Sequence, residues 1–362
     1  MRRKPSSGAR GRRPKRGTAG VPAAKSAGRG AATGATPIAH VVLIIKENHS
    51  FDNYFGTFPG ANGARLAHSP NPPPKDPDHG HGAWLTRDTT AVRAQFVEAD
   101  IPAYFAYARQ FALCDNYFTE VAGPSTPNHL MLIAAASPVI DNPPRSARTT
   151  YPLPSLPLAL ERANRTWRNY GGYAFDLIAE VKGRPTLAPE QFAKDAAAGD
   201  LPAVAWVYAP HDASEHPRDP SDRGGSPLIG NVTHGMQWTV DQINAVVQGG
   251  LWTSTAIFVT WDDWGGWFDH VTPPDVEAWR DDGTHPAWNG TQFRYGSRVG
   301  SLVVSPYAKS GYISHTLHSH ASLLRFCEAT FGVPALNARD ARAGDLSDCF
   351  DFSQAPAPPP RV

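Results

Sequence analysis

Four oxygen-bearing side chains stand at two places where an apolar run stops abruptly. Glu47 and Asn48 follow His40-Val41-Val42-Leu43-Ile44-Ile45-Lys46, and Asp262 and Asp263 follow Ala256-Ile257-Phe258-Val259-Thr260-Trp261. Short β-branched apolar runs read as buried parallel strands. Polar groups at their carboxyl ends sit where open α/β sheets place a ligand crevice. Carboxylate and amide oxygens are hard ligands, suited to a divalent cation. Adjacent strand residues point to opposite faces, so Asp262 and Asp263 share one ion only if the chain turns there. Gly265 and Gly266 permit such a turn. Two carboxylates in contact are unfavourable unless a cation or a proton lies between them. Either pair alone reads as a polar loop; together they point to metal binding.

A nucleophile candidate lies between the two strand ends. Gly123-Pro124-Ser125-Thr126-Pro127-Asn128-His129 leads into the good helix formers of residues 130–136, with proline in the first turn. Ser125 or Thr126 then stands at a helix amino terminus. Most hydroxyls in that position only cap the helix. The functional alternative is that the helix-end amides attract phosphate and a nearby cation lowers the hydroxyl's pKa, making it a nucleophile.

These segments occur with others in a familiar order: Glu47-Asn48-His49-Ser50-Phe51-Asp52-Asn53-Tyr54-Phe55-Gly56, the Ser125 segment, Glu215-His216-Pro217, Asp262-Asp263-Trp264-Gly265-Gly266-Trp267-Phe268-Asp269-His270, Gly296-Ser297-Arg298-Val299, and His320-Ala321-Ser322-Leu323-Leu324-Arg325. From about His40 to about Phe350 the chain resembles the phosphoesterase family of bacterial phosphatidylcholine-type phospholipases C and related acid phosphatases, on the alkaline-phosphatase-like fold. The resemblance implies that Glu47, Asn48, Asp262 and Asp263, with the Ser125 hydroxyl, hold one divalent metal ion (Mg, Ca, Mn or Zn). It implies that Ser125 is the nucleophile, with Thr126 as the neighbour that could exchange roles with it. Asn128 matches a position near the phosphate, and His216 a histidine that contacts the phosphoryl group. His79, in Asp76-Pro77-Asp78-His79, matches an upstream histidine, and His81 is the alternative in register. The chain departs from the family where Asp263 replaces a common Glu, where Trp264 lengthens the turn, and where Ser319 replaces an aspartate before His320. His315 and His320 either line the site or simply pack.

Further elements are needed to position these groups. Helices are expected over Ile101–Phe111, Met236–Val247 and Ala321–Phe331, the last closed by Gly332. Strands are expected around Cys114–Phe118, over Ala203–Tyr208 and over Ser301–Ser305. Alternating strands and helices argue for an α/β protein with a mainly parallel central sheet and helices on both faces, a three-layer sandwich. The irregular stretches Asn71–Pro77 and Pro217–Gly230 are expected to shape the substrate mouth.

Of 362 residues, 41% are hydrophobic, enough for a large core, and the formal net charge is only +1. Residues 1–30 contain ten Lys or Arg and no acid, which leaves −9 on residues 31–362. Residues 1–37 therefore read as a disordered basic tail, residues 38–352 as the catalytic domain and residues 353–362 as a proline-rich end with no core role. Arg-Arg pairs near the start are followed by no apolar segment, so no signal peptide is recognised, and cytoplasmic residence is the default expectation, with export open if translation starts elsewhere. No run is long enough to cross a membrane. Cys114, Cys327 and Cys349 lack metal-site spacing; a Cys327–Cys349 bridge is conceivable, with buried free thiols the simpler reading.

The expected function is metal-dependent hydrolysis of phosphate esters through a phosphoseryl intermediate. The substrate is either a phospholipid or a soluble phosphomonoester. The larger phospholipases of the family carry extra carboxyl-terminal β domains where this sequence stops, which tilts the expectation toward a compact phosphatase-like or general phosphoesterase activity. Trp261, Trp264 and Trp267 keep an apolar rim and peripheral membrane contact open. No stable nucleic-acid complex is expected. The contrasting reading is an inactive binding protein whose basic tail contacts nucleic acid or anionic lipid.

Overall fold

The apolar run beginning at His40 forms the central strand of an eight-stranded sheet in a computed structural model that describes Met1 and residues 36–144, 149–275 and 295–362. The basic tail lies outside the described residues except for its two ends. The sheet order is Tyr312–Ser314, Ala112–Cys114, Ser301–Val304, Thr255–Trp261, His40–Lys46, Val204–Tyr208, Trp167–Tyr170 and Thr186–Leu187. His40–Lys46 runs parallel to both neighbours, with Lys46 opposite Trp261 and Ile45 opposite Tyr208. Every residue of the three central strands is buried except half-buried His40, as expected where both sheet faces are covered.

The two faces are covered by different helices. Phe258 packs on Phe326 of the His320–Phe331 helix, with ring centroids 5.0 Å apart. Trp261, three residues on and so on the opposite face, packs edge-on against Tyr104 of the Pro102–Gln110 helix at 5.4 Å. The Gln191–Ala197 and Val232–Gln248 helices pack on each other, and the latter on Pro102–Gln110; Ser125–Ala134 packs with His320–Phe331. The mainly parallel sheet with helices on both faces agrees with the sequence reading.

Two features differ from expectation. Ser301–Val304 runs antiparallel to both its neighbours, which brings the segment preceding it, Ser297 and Arg298, to the same sheet edge as Glu47 and Asp262. The expected Cys114–Phe118 strand is split into Ala112–Cys114 and Tyr117–Phe118, the second pairing with His318–Ser319 in a separate small sheet. The proline-rich end is fastened to the body: Ala357 donates its amide to Pro306 and accepts from the Trp252 indole at 2.8 Å each. All three cysteines are free and buried, and the thiol facing Cys349 is that of Cys114, at 3.7 Å, so the suggested Cys327–Cys349 bridge is not formed. No described helix is long and apolar enough to cross a membrane.

Candidate active site

Parallel pairing of Lys46 with Trp261 aligns the two strand ends, so Glu47-Asn48 and Asp262-Asp263 emerge side by side. The Asn48 amide N–H donates to Asp262 Oδ1 at 3.0 Å, locking the two turns together. Asn48 reaches this position with φ +62°, a left-handed conformation that asparagine tolerates better than most residues. Gly265 completes the second turn. Its φ is +59°, its N–H donates to Asp263 Oδ1 at 2.7 Å, and a Cβ there would fall 2.0 Å from the Asn48 carbonyl oxygen. This tight return carries the Asp263 carboxylate toward Ser125, while that of Asp262 lies with Glu47 and His129.

Ser125 is the first residue of the Ser125–Ala134 helix, and its side chain makes no capping bond. Its Oγ donates instead to Asp263 Oδ2 at 3.0 Å. Thr126 is turned elsewhere: its N–H donates to Asn142 Oδ1 and its hydroxyl lies 2.9 Å from the Tyr173 hydroxyl. Geometry thus separates the two hydroxyls that the sequence left open. Asn128 does not reach into this space. Its amide accepts from Val121 N–H and donates to the Val121, Gly123 and Pro124 carbonyls, so it shapes the loop that presents Ser125.

One end of the Asn48 amide lies 3.2 Å from both Glu47 Oε2 and Asp262 Oδ1, and the other lies 3.1 and 3.0 Å from Nε2 of His79 and His216. Nδ1 of His79 is 2.7 Å from the Pro77 carbonyl and Nδ1 of His216 is 2.6 Å from the Pro217 carbonyl. With the Nδ1 protons held there, Nε2 is the nitrogen each ring offers to the site. His81 is not part of this group: its Nδ1 faces the Ala122 carbonyl at 2.6 Å, beneath the Ser125 loop. His320 is buried behind the site, with Nε2 2.7 Å from the Asp262 carbonyl and Nδ1 3.0 Å from the Tyr117 hydroxyl. His315 is exposed and pairs with Asp115.

His129 belongs to this group as well, although the resemblance implies no role for it. It stands four residues after Ser125, on the same helix face, and its Nε2 lies 3.1 Å from Asp262 Oδ2 and 3.5 Å from Glu47 Oε1. That spacing was the available signal. Its pKa is raised to about 10: burial opposes the charge, but the Asp262 and Glu47 carboxylates outweigh it. Burial likewise opposes the shift at Asp262, yet His129 and the Asn48 amide hold its carboxyl low, while burial and the charge of Asp262 push Asp263 well up. His79 is raised to about 9, where burial again opposes and Asp263 and Asp76 prevail.

The donor set fits a divalent cation. Asp262 Oδ2 is buried and makes no well-aimed hydrogen bond to any described residue, His129 being close but badly angled. An amide oxygen turned toward two carboxylate oxygens is unfavourable without positive charge between them. With a cation there, the Asn48 oxygen belongs on the carboxylate side and its NH2 donates to whichever of the two Nε2 atoms is unprotonated, which leaves the other ring to carry a proton on Nε2. Glu47, Asn48, Asp262, Asp263 and Ser125 are the residues that would hold the ion.

The other motif residues support this group. Glu215 accepts from the Tyr54, Tyr104 and Trp261 side chains at 2.8, 2.6 and 2.9 Å, anchoring the turn that carries His216. Arg298 is buried between Asp52 and Asp269, at 3.3 and 2.9 Å. The three tryptophans form no apolar rim: Trp261, Trp264 and Trp267 are all buried, Trp264 donating to the His79 carbonyl at 2.8 Å and Trp267 stacking on His49.

Residues 38–84, 76–186 and 176–334 match the Phosphoesterase family. The chain is 27% identical to phospholipase C B of Mycobacterium tuberculosis over 89% of its own length and 79% of that protein's. It is 28% identical to a non-hemolytic phospholipase C of Pseudomonas aeruginosa over 87% of its length and 57% of the other's, and 23% identical to non-specific phospholipase C6 of Arabidopsis thaliana over 89% and 74%. Among solved structures, that of Ps i-CgsB superposes with a TM-score of 0.52 at 11% identity, covering 85% of this chain and 75% of that one, a likeness of fold alone.

Proposed function

This chain belongs to the phosphoesterase family, and on that premise we propose that it hydrolyses phosphoric ester bonds with Ser125 as nucleophile and a divalent cation held by Glu47, Asn48, Asp262 and Asp263. The observation that carries the reading is the Ser125 hydroxyl, free of any capping duty and bonded to Asp263 at 3.0 Å beside the other three oxygen donors. The cation, when bound, supplies charge neutralisation at the phosphoryl oxygens and lowers the pKa of the hydroxyl.

The chain's own residues supply the rest. Asp263 takes the Ser125 proton as the new Oγ–phosphorus bond forms and the bond to the leaving oxygen breaks. The leaving alkoxide takes a proton from Nε2 of His79 or His216, the nitrogens left to the site by their Nδ1 bonds to Pro77 and Pro217. Water then attacks the phosphoserine, Asp263 returns the proton to Oγ, and the histidine recovers its own from the water. The relatives named phospholipase C support a phosphodiester lipid; the tryptophans near the site do not, since they are buried.

The test compares hydrolysis of p-nitrophenyl phosphate and p-nitrophenylphosphorylcholine by wild type and Ser125→Ala, with and without chelator. Release of p-nitrophenol that disappears in Ser125→Ala is expected. Full activity in that variant would overturn the assignment, and the ratio of the two substrates separates monoester from diester preference.

A further inference from the structure

A second group of ligating atoms lies away from this site. Cys114 ends the Ala112–Cys114 strand, His318 begins the short strand His318–Ser319, and Asp348 and Cys349 lie in the turn Ser347–Cys349. The two sulfurs are 3.7 Å apart, and a ring nitrogen of His318 lies with both of them inside a 4.8 Å span. Nε2 of His318 is 2.9 Å from Asp348 Oδ1, which is 3.9 Å from Cys349 Sγ. Nδ1 of His318 faces the Gly344 backbone, so Nε2 is the nitrogen on the thiol side.

These distances have a specific meaning. Metal–sulfur bonds of about 2.3 Å at tetrahedral angles give a sulfur–sulfur edge of about 3.8 Å. A disulfide requires about 2.05 Å, and a thiol–thiol hydrogen bond is a weak reason to bring two buried sulfurs together. Two thiolates, one imidazole and one carboxylate are a four-donor set for a tetrahedral ion. Cys114, Cys349 and His318 are buried, while the Asp348 side chain is 25% exposed and gives an ion access. Nδ1 of His318 has no hydrogen-bond partner among the described residues, so the ring proton sits on Nε2 facing the Asp348 carboxylate, and it is this proton that an ion would displace.

We propose that Cys114, His318, Asp348 and Cys349 form a binding site for a thiolate-preferring divalent ion, zinc by chemistry, distinct from the cation group at Glu47. Binding releases the two thiol protons to solvent, and the His318 ring proton moves from Nε2 to Nδ1, which frees the Nε2 lone pair for the metal. The ion would clip the carboxyl-terminal turn and the His318–Ser319 strand to the sheet. His320, which holds the Asp262 carbonyl, follows directly, so the clip braces the proposed catalytic group from behind.

The experiment loads the full chain with Co2+ and records its absorption spectrum, together with zinc content after gel filtration. Wild type, Cys327→Ser and the Asp262→Asn/Asp263→Asn double variant should all show thiolate-to-cobalt charge-transfer absorption in the near ultraviolet. Cys349→Ser and His318→Gln should lose it and bind one zinc fewer. A folded wild-type chain without that absorption overturns the proposal, as does a mass showing a Cys114–Cys349 disulfide in protein purified under reducing conditions. The wild-type spectrum decides even if a variant fails to fold. Because the double variant lacks two proposed catalytic ligands, the result does not depend on whether the chain hydrolyses phosphate esters.

Discussion

Lys46 and Glu215 form an ion pair at 3.2 Å in which neither side chain meets solvent. Lys46 also donates to the Ala213 and Gly235 carbonyls. The pair ties the last residue of the central strand, just before Glu47, to the residue just before His216. Glu215 itself adopts φ +76°, a left-handed conformation that costs a residue other than glycine energy. The buried bonds to its carboxylate hold that turn in place, so one ion pair sets the relation between the strand end that carries Glu47 and the turn that carries His216.

Removing one partner of such a pair leaves an uncompensated charge and costs about 3–5 kcal/mol. Glu215→Ala strands the Lys46 ammonium and three further donors, whereas Lys46→Met leaves Glu215 with Tyr54, Tyr104 and Trp261 as partners. We therefore expect Glu215→Ala to be the more damaging, with both effects read from urea unfolding midpoints. Equal losses would show that the neutral donors contribute little.

The metal assignment makes a binding prediction separate from turnover. A divalent ion at a hundredfold excess over its Kd stabilises the folded state by about 2.7 kcal/mol. Wild type should therefore melt at higher temperature with a saturating hard divalent cation such as Mg2+ or Ca2+, which the thiolate group does not favour, than with chelator. Asp262→Asn should lose most of that difference while remaining folded, because the amide keeps the acceptor for the Asn48 N–H. An undiminished shift in Asp262→Asn would move the ion elsewhere.

Much of this arrangement was legible because apolar runs announce their own ends. Ile45-Lys46-Glu47 and Trp261-Asp262 mark where strands stop, and parallel pairing then brings the acidic ends together. What pairing alone cannot announce was missed. The four residues Ser301–Val304 carry no sign of direction, so their antiparallel course was not foreseen. His129 required knowing which helix face meets the carboxylates. Trp264 and Trp267 read as a rim because aromatic residues suit both interiors and surfaces; backbone turns at Gly265 and Gly266 carry them inside. Cys114, His318 and Cys349 converge only through the fold, with no spacing to reveal them.

Glu328 gives a pH prediction remote from the site. It is buried on the His320–Phe331 helix, and its pKa is raised to about 8 by burial first and then by Asp340, with Arg325 opposing weakly. Asp340 is committed as acceptor to the Leu336 and Asn337 N–H groups, so Glu328 carries the shared proton. A folded-state pKa above the unfolded value of 4.5 means the stabilisation is complete below about pH 4.5 and is lost as pH rises through about 8. Glu328→Gln keeps a neutral donor at all pH values. Its melting temperature should match wild type near pH 5 and exceed it near pH 9. A constant difference across that range would show that Glu328 does not titrate in it.

The turn after Asp263 yields the sharpest structural prediction. Gly265 combines φ +59° with a Cβ direction that ends 2.0 Å from the Asn48 carbonyl oxygen, an atom of rigid backbone. Alanine there adds left-handed strain of about 1–2 kcal/mol and must also displace Asn48 or the Asp262–Asp263 turn. Either movement separates the oxygens proposed to share the cation. Gly265→Ala should therefore weaken divalent-cation binding and hydrolysis together, by about a hundredfold or more if the reacting groups shift by about 1 Å. At Gly183, where φ is also positive (+77°) but nothing lies within 4 Å of an added Cβ, the same substitution should cost stability alone. Measuring melting temperature, cation affinity and turnover for both variants separates strain from displacement: equal turnover in the two would show that the close approach of Gly265 to Asn48 does not position the site.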